Sequence, residues 1–100
     1  MVVEARNYKR IGGIIMNVKD LIEKLNEMGV PKSWYSINGG LKSDTCMLNE
    51  VHNYWEYFYF DERGNTNGYK RFNNENDACI YFLNILKSEM EFVYKIDYGK

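Results

Sequence analysis

The residue types that could support catalysis are few and widely spaced in this chain. His52 is the only histidine, so it would have to be the base of any imidazole-based mechanism, yet no nucleophile is identifiable beside it. Cys46 and Cys79 lie far apart without a Cys-x-x-Cys spacing, which favours two reduced, buried thiols over a zinc or redox site. We therefore expect no catalytic residue, no metal site and no cofactor, and we predict that the protein is not an enzyme.

Two short segments match ligand-binding loops only in part. Residues 38–43, Asn-Gly-Gly-Leu-Lys-Ser, lack the glycine that a phosphate loop needs directly before its lysine, and a strand rather than a helix is predicted to follow. Residues 61–72 fail as a calcium loop because Arg63, Thr66 and Phe72 replace a ligand, the turn glycine and the bidentate glutamate. Neither a nucleotide nor a calcium ion is expected to bind.

Composition and charge point to one small globular domain. The 100 residues include 13 Lys plus Arg and 14 Asp plus Glu, and a formal net charge of -1 argues against a dedicated nucleic-acid binder. No apolar run approaches the ~20 residues of a transmembrane helix or provides a signal sequence, which predicts a cytoplasmic protein. Aromatic residues reach 16%, and the run 54–60 is expected to be mainly core, with the remainder suited to a protein interface.

Residues 1–15 differ from the rest of the chain. They show no amphipathic period and end in Gly12-Gly13-Ile14-Ile15, which is what a ribosome-binding site and its spacer would encode if translated before a start codon at Met16. We predict that residues 1–15 are a non-native or flexible extension and that residues 16–100 form a single α+β domain. The alternative is that residues 1–15 are a genuine edge strand or arm.

The hydrophobic spacing predicts one helix near each end of this domain. A stripe of apolar residues follows the capping residue Asn17 and stops at Gly29-Val-Pro31. Its members are Val18, Leu21, Ile22, Leu25 and Met28. A second helix is predicted from residue 73 or 74 to about Met90, after which residues 91–100 alternate in a way that allows an edge strand or a frayed tail.

Strand-like segments fill the chain between the two helices. They are Trp34 to Ile37, Thr45 to Glu50, Tyr54 to Phe60 and Tyr69 to Phe72. Turns are indicated between them at Asn38-Gly39-Gly40, at His52-Asn53 and over Gly64 to Gly68. The predicted fold is an antiparallel β-meander of three to four strands, flanked by an N-terminal and a C-terminal helix packed on one face.

Five short motifs occur in a fixed order between Met16 and Leu86. They are Met28-Gly-Val-Pro31, Trp34-Tyr-Ser-Ile-Asn-Gly-Gly-Leu41, Trp55-Glu-Tyr57, Glu62-Arg-Gly64, and Phe72 followed by Glu75, Ala78, Cys79, Tyr81 and Phe82. Their order and spacing resemble a family of small bacterial immunity proteins that accompany polymorphic toxins, including contact-dependent growth inhibition systems. The aromatic run at 57–60 is heavier than is usual in that family, and residues 1–15 have no counterpart in it.

The resemblance implies a cytoplasmic, non-enzymatic inhibitor that binds the toxic C-terminal domain of a cognate effector, commonly a nuclease. It carries over no contact residue, because such surfaces are specific to each toxin. Acids beside aromatics around the 54–72 hairpin supply our candidate partner-binding residues, which are Glu50, Glu56, Asp61, Glu62 and Tyr69. The alternatives are a small cytoplasmic adaptor or regulatory protein-binding module and an enzyme of an unrecognised kind. Nucleic acid, membrane and small-molecule substrate are not expected as direct partners.

Overall fold

The computed structural model describes residues 15–98, which form two helices and a four-stranded sheet. In chain order these are α1 (Val18–Glu27), a 3-10 turn (Lys32–Trp34), β1 (Tyr35–Ile37), β2 (Thr45–Val51), β3 (Tyr54–Phe60), β4 (Thr66–Phe72) and α2 (Glu75–Tyr94). The strands are hydrogen-bonded in the order β1-β2-β3-β4. The predicted α+β class is confirmed. Of the predicted extension at residues 1–15, all but Ile15 lies outside the described residues.

The sheet is mixed, so the predicted antiparallel meander is only partly correct. Strands β2, β3 and β4 are antiparallel neighbours, but β1 runs parallel to β2. Parallel neighbours usually need a long crossover; here β1 spans only ~10 Å, so the loop 38–44 can return the chain to its starting end. Positive φ angles at Asn38 and Asp44 bend both ends of this loop, and the Asn38 side chain accepts a hydrogen bond from the Glu50 amide at 2.7 Å.

Helix α1 has the ends that its sequence predicts. The Asn17 side chain accepts a hydrogen bond from the Asp20 amide at 2.8 Å, and the Asp20 carboxylate accepts one from the Asn17 amide at 3.3 Å. This reciprocal pair is a capping box. At the other end Gly29 adopts a φ of +75°, and the Val30 amide donates to the Leu25 carbonyl at 3.1 Å. The glycine therefore ends the helix in the way that a left-handed residue does.

The turn between β3 and β4 lies earlier in the chain than predicted. The structure closes it within residues 61–65, and β4 begins at Thr66 rather than at Tyr69. Between paired positions β4 has one residue more than β3, which is a β-bulge. Gly68 has a φ of +67° at this bulge. The Asn-Gly pair therefore supplies a positive φ as expected, but it does so inside a strand.

Helix α2 begins as predicted and ends later. The Asn74 side chain accepts a hydrogen bond from the Asp77 amide at 2.8 Å, and the helix continues past the predicted end at Met90 to Tyr94. The Tyr94 ring stacks on Trp34, with centroids 6.0 Å apart and planes within 10°. This contact with a residue distant in sequence holds the last turn helical, so both alternatives for residues 91–94, an edge strand and a frayed tail, are wrong. After the helix, residues 95–98 are irregular.

Both helices pack on the same face of the sheet, as predicted. Leu21 and Leu25 of α1 share one core with α2 and with the sheet. The largest contributions from α2 and the sheet to this core are Phe82, Leu86, Leu48, Trp55 and Tyr57. On the opposite face Met47 is fully buried and Phe58 is 8% exposed, so β3 is covered on both sides, as its aromatic composition predicts.

Candidate binding site

Glu56 and Tyr69 are the two predicted contact residues that the structure brings together. They lie on neighbouring strands on the face opposite the helices, where the Tyr69 hydroxyl donates a hydrogen bond to Glu56 Oε1 at 3.1 Å. Desolvation and this hydrogen bond raise the pKa of the Tyr69 phenol. Arg71 is the register partner of Glu56, but its guanidinium lies over the Tyr54 ring, 3.8 Å from the centroid. The Glu56 carboxylate is thus oriented by a phenol rather than neutralised by a base.

Asp61 is occupied by the turn that follows β3. Its carboxylate accepts hydrogen bonds from the Asn65 amide at 2.8 Å, the Arg63 amide at 3.0 Å and the Asn67 side chain at 3.2 Å. These donors stabilise the charged form and lower the pKa of Asp61. The residue therefore organises the turn, and its oxygens have fewer free directions for a partner.

Glu50 and Glu62 lie at opposite ends of the sheet. Glu50 is at the end of β2 next to the turn at His52-Asn53, while Glu62 is in the turn after β3. The seven residues of β3 separate these ends by ~20 Å. The five predicted residues therefore form one hydrogen-bonded pair, two neighbouring acids in the turn after β3 and one separate exposed acid, rather than a single patch.

A cavity of about 530 Å³ lies between the sheet and the C-terminal half of α2, and no sequence motif indicated it. We call it the α2 cavity. Its polar and aromatic lining consists of Trp34, Asp44, Cys46, Tyr57, Tyr59 and Glu89. Ile85 and Leu86 complete the wall on the helix side. Five separate elements supply this lining: the 3-10 turn, the loop before β2, strands β2 and β3, and helix α2.

Three neutral polar groups and two carboxylates define the chemistry of the α2 cavity. The Tyr57 hydroxyl is 3.9 Å from Cys46 Sγ, and the Tyr59 hydroxyl is 3.4 Å from Asp44 Oδ1. Burial, followed by the neighbouring thiol and the Glu89 charge, raises the pKa of Tyr57. Burial also raises the pKa of the Cys46 thiol, with an opposing effect from the Tyr57 hydrogen bond. The thiol and both phenols are uncharged near neutral pH, so the cavity wall carries the negative charge of its two acids.

Sequence reasoning missed this cavity because its two acids are remote in the chain. Asp44 precedes β2, and Glu89 lies near the end of α2. The helix pattern gave no signal either, because Glu89 is exposed and lies outside the buried stripe of α2, which consists of Ala78, Cys79, Phe82, Leu86 and Met90.

The residues considered for catalysis occupy structural positions. His52 is exposed, and its φ of +54° confirms the predicted two-residue turn. Cys46 and Cys79 are buried free thiols, as predicted, and burial raises the pKa of Cys79 to about 12. Within residues 15–98, no group of three or more His, Cys, Asp or Glu side chains could hold a metal ion. No helix in that range is long and apolar enough to cross a membrane.

Comparison with known proteins leaves the site to be interpreted from its own chemistry. No protein-family model matches the chain, and no curated protein or solved structure shows significant similarity to it.

Proposed function

We propose that this chain is an immunity protein, which binds one cognate bacterial toxin domain and neutralises it by stoichiometric inhibition without turnover. The toxin domain is expected to be a nuclease that acts in the cytoplasm. The observation that carries the proposal is the set of surface carboxylates without a basic partner. Apart from Asp97, the described residues include twelve acids and nine bases. Between them we find one ion pair, Lys24 Nζ with Glu27 Oε1 at 3.8 Å.

Three of the described bases lie over aromatic rings instead of pairing with a carboxylate. The Arg71 guanidinium lies over Tyr54, and the Lys70 ammonium is 6.0 Å from the centroid of Tyr81. Directly after α2, the Lys95 ammonium is 5.7 Å from the centroid of Phe92. Cation–π contacts of this kind use the charge of a base without neutralising a carboxylate. The surplus of negative charge therefore stays available to a partner.

Acidic surface of this kind suits a nuclease as the partner. A protein that binds nucleic acid presents bases to phosphate, and its binding surface is accordingly positive. An acidic inhibitor is steered toward that surface and competes with the phosphate backbone for it. A stable contact needs about 800 Å² on each side, which a domain of this size can supply.

The resemblance to small immunity proteins favours a toxin as the partner over the alternative hypothesis, in which the chain is an adaptor that binds some other protein. Its motifs occur at positions that build the fold: Gly29 ends α1, Trp34 and Tyr35 lead into β1, and Phe82 fills the core. They account for the scaffold and leave the contact surface free to differ between toxins.

Co-expression with the toxin domain encoded beside this chain is the direct test. We expect growth to be restored, the two proteins to purify as a complex, and a non-cognate toxin to kill the cells as before. Failure to bind or neutralise any neighbouring effector would remove the proposed function and favour the adaptor.

A pair of variants tests the hairpin surface within that function. Replacing Glu56 and Glu62 by Gln keeps the hydrogen-bond acceptor for Tyr69 while removing two charges, so the fold should be retained. We expect slower association with the toxin at low salt, with a smaller difference at high salt, since surface charge acts mainly on the association rate. The matched control replaces Glu23 and Glu91 by Gln, two acids outside the hairpin. Equal rates for the two pairs would exclude the hairpin as the contact.

A further inference from the structure

We propose that the α2 cavity is a receptor for a long cationic side chain, an arginine above all, that projects from the surface of a partner protein. The source of the side chain rests on the proposed function, whereas the chemistry of the receptor follows from the cavity itself. No sequence motif and no relative assigns a ligand to this cavity.

Two uncompensated acids give the α2 cavity its affinity for a cation. Asp44 enters from the loop before β2 and Glu89 from α2, so they belong to different walls. Within the described part of the chain, no basic side chain lies within ion-pair distance of either. Both side chains are exposed, and a cation bound in the cavity is attracted to each of them.

Aromatic side chains make the cavity suited to an organic cation rather than to a metal ion. Trp34, Tyr57 and Tyr59 line it, and rings attract cations through their negative faces, tryptophan most strongly. A guanidinium group is planar, weakly hydrated and able to stack on a ring while its edge donates hydrogen bonds to carboxylates. A metal site would instead need three or more closely placed ligands, which the described residues do not provide.

The Tyr57 hydroxyl provides a hydrogen-bond acceptor in the wall of the α2 cavity. The side chain is 6% exposed, and the hydroxyl bonds to a thiol sulfur at 3.9 Å. Sulfur is a weak partner, and the phenol oxygen can accept further hydrogen bonds. Because Tyr57 lines the cavity, this oxygen can accept a hydrogen bond from a group that enters it. A guanidinium N–H is a donor of the right kind, and its charge would strengthen the bond.

The size and apolar wall of the cavity fit a side chain that enters on a stem. Its volume of about 530 Å³ lies within the ~300–1,000 Å³ typical of ligand pockets, so it can admit an arginine together with part of its neighbours. Ile85 and Leu86 offer an apolar surface to the methylene groups, which long basic side chains bury readily.

The two tryptophans provide a direct assay on the whole chain. Trp34 lines the cavity, while Trp55 is 5% exposed in the core, and each has one indole N–H signal in a ¹⁵N correlation spectrum. The probe is Nα-acetyl-arginine amide, and its neutral counterpart is Nα-acetyl-citrulline amide. We expect the arginine probe to shift the Trp34 signal saturably, leave Trp55 in place, and bind at least tenfold more tightly than the citrulline probe. Equal responses to the two probes, or no response at Trp34, would overturn the proposal.

Substitution of the two acids connects the cavity to the partner protein. Replacing Asp44 by Asn and Glu89 by Gln removes both charges, and Asn tolerates the positive φ at position 44. We expect at least a tenfold loss of affinity for the arginine probe and for the toxin, and no loss for the control pair Glu23→Gln and Glu91→Gln. Spermidine is measured alongside, and tighter binding of spermidine than of the arginine probe would overturn a protein side chain as the occupant.

Failure of the inference and failure of the proposed function give different results. A chain that neutralises its toxin with unchanged affinity after the Asp44 and Glu89 substitutions retains its function but loses the cavity as receptor. A chain that binds the arginine probe at Trp34 but neutralises no toxin keeps the receptor chemistry and loses the immunity function.

Discussion

Phe82 provides the most direct test of the packing between α2 and the sheet, through replacement by Ala. The side chain is fully buried. Its ring centroid lies 6.4 Å from that of Tyr35 and 5.9 Å from that of Tyr57, and both contacts are edge-on. Burying a phenylalanine side chain contributes about 1.5–3 kcal/mol, and each ring contact adds about 0.5–1.5 kcal/mol. Phe82→Ala should therefore lower the free energy of unfolding by about 3–5 kcal/mol, which is also the usual cost of this change in a core.

Urea unfolding followed by circular dichroism measures this loss, and Phe92 supplies the matched control. Phe92 lies on the same helix but is 75% exposed, so Phe92→Ala should change the free energy of unfolding by less than about 0.5 kcal/mol. A domain of this size has about 4–13 kcal/mol of stability, so the Phe82 variant should unfold at a clearly lower urea concentration. A loss below about 1 kcal/mol for Phe82→Ala, or equal losses for the two variants, would refute the proposed packing.

Two further predictions concern the β3–β4 hairpin. Gly68→Ala should lower the free energy of unfolding by about 1 kcal/mol or more, because it forces a residue with a side chain to a φ of +67°. Gly40→Ala is the control and should be nearly neutral in thermal unfolding, since the space around Gly40 is open. Equal losses for the two variants would place the bulge elsewhere. Asp61 has a lowered pKa, so its contribution to stability is present above the ordinary aspartate pKa of about 3.9 and is lost as the pH falls through the lowered value. Relative to Asp61→Asn, the wild-type chain should lose stability only below about pH 4, and parallel pH profiles of the two proteins would contradict this role.

Local sequence signals predicted those elements whose ends are determined by their own residues. Helix α1 is bounded by Asn17 and Gly29, which act on the backbone within a few residues of themselves, and both positions were correct. The turn at His52-Asn53 joins two strong strands with the two residues that a tight hairpin needs, so β3 and its connection to β2 were also predictable.

Contacts between distant residues decided the elements that were predicted wrongly. The direction of β1 depends on pairing with β2, where the Asn38 amide donates to the Leu48 carbonyl at 2.8 Å, and local composition has no information about that choice. The last turn of α2 depends on the stacking of Tyr94 against Trp34, sixty residues earlier. The Asn67-Gly68 pair indicates a positive φ correctly, but whether it forms a turn or a bulge depends on the register with β3.

The positions of the candidate acids in the fold rank the surfaces that the proposed toxin could cover together. Glu56 faces away from the helices, whereas the α2 cavity opens on the helix side, so a compact partner cannot cover both centrally. Tyr59 lines the cavity and is the residue before the end of β3 at Phe60, so the turn after β3 lies beside the cavity. A partner bound over this end of the sheet would contact the cavity and the neighbouring turn that contains Glu62. Glu56 would then lie at or beyond the rim of the interface. Because truncation at the centre of an interface costs more than at its rim, loss of the cavity acids should weaken protection more than loss of Glu56.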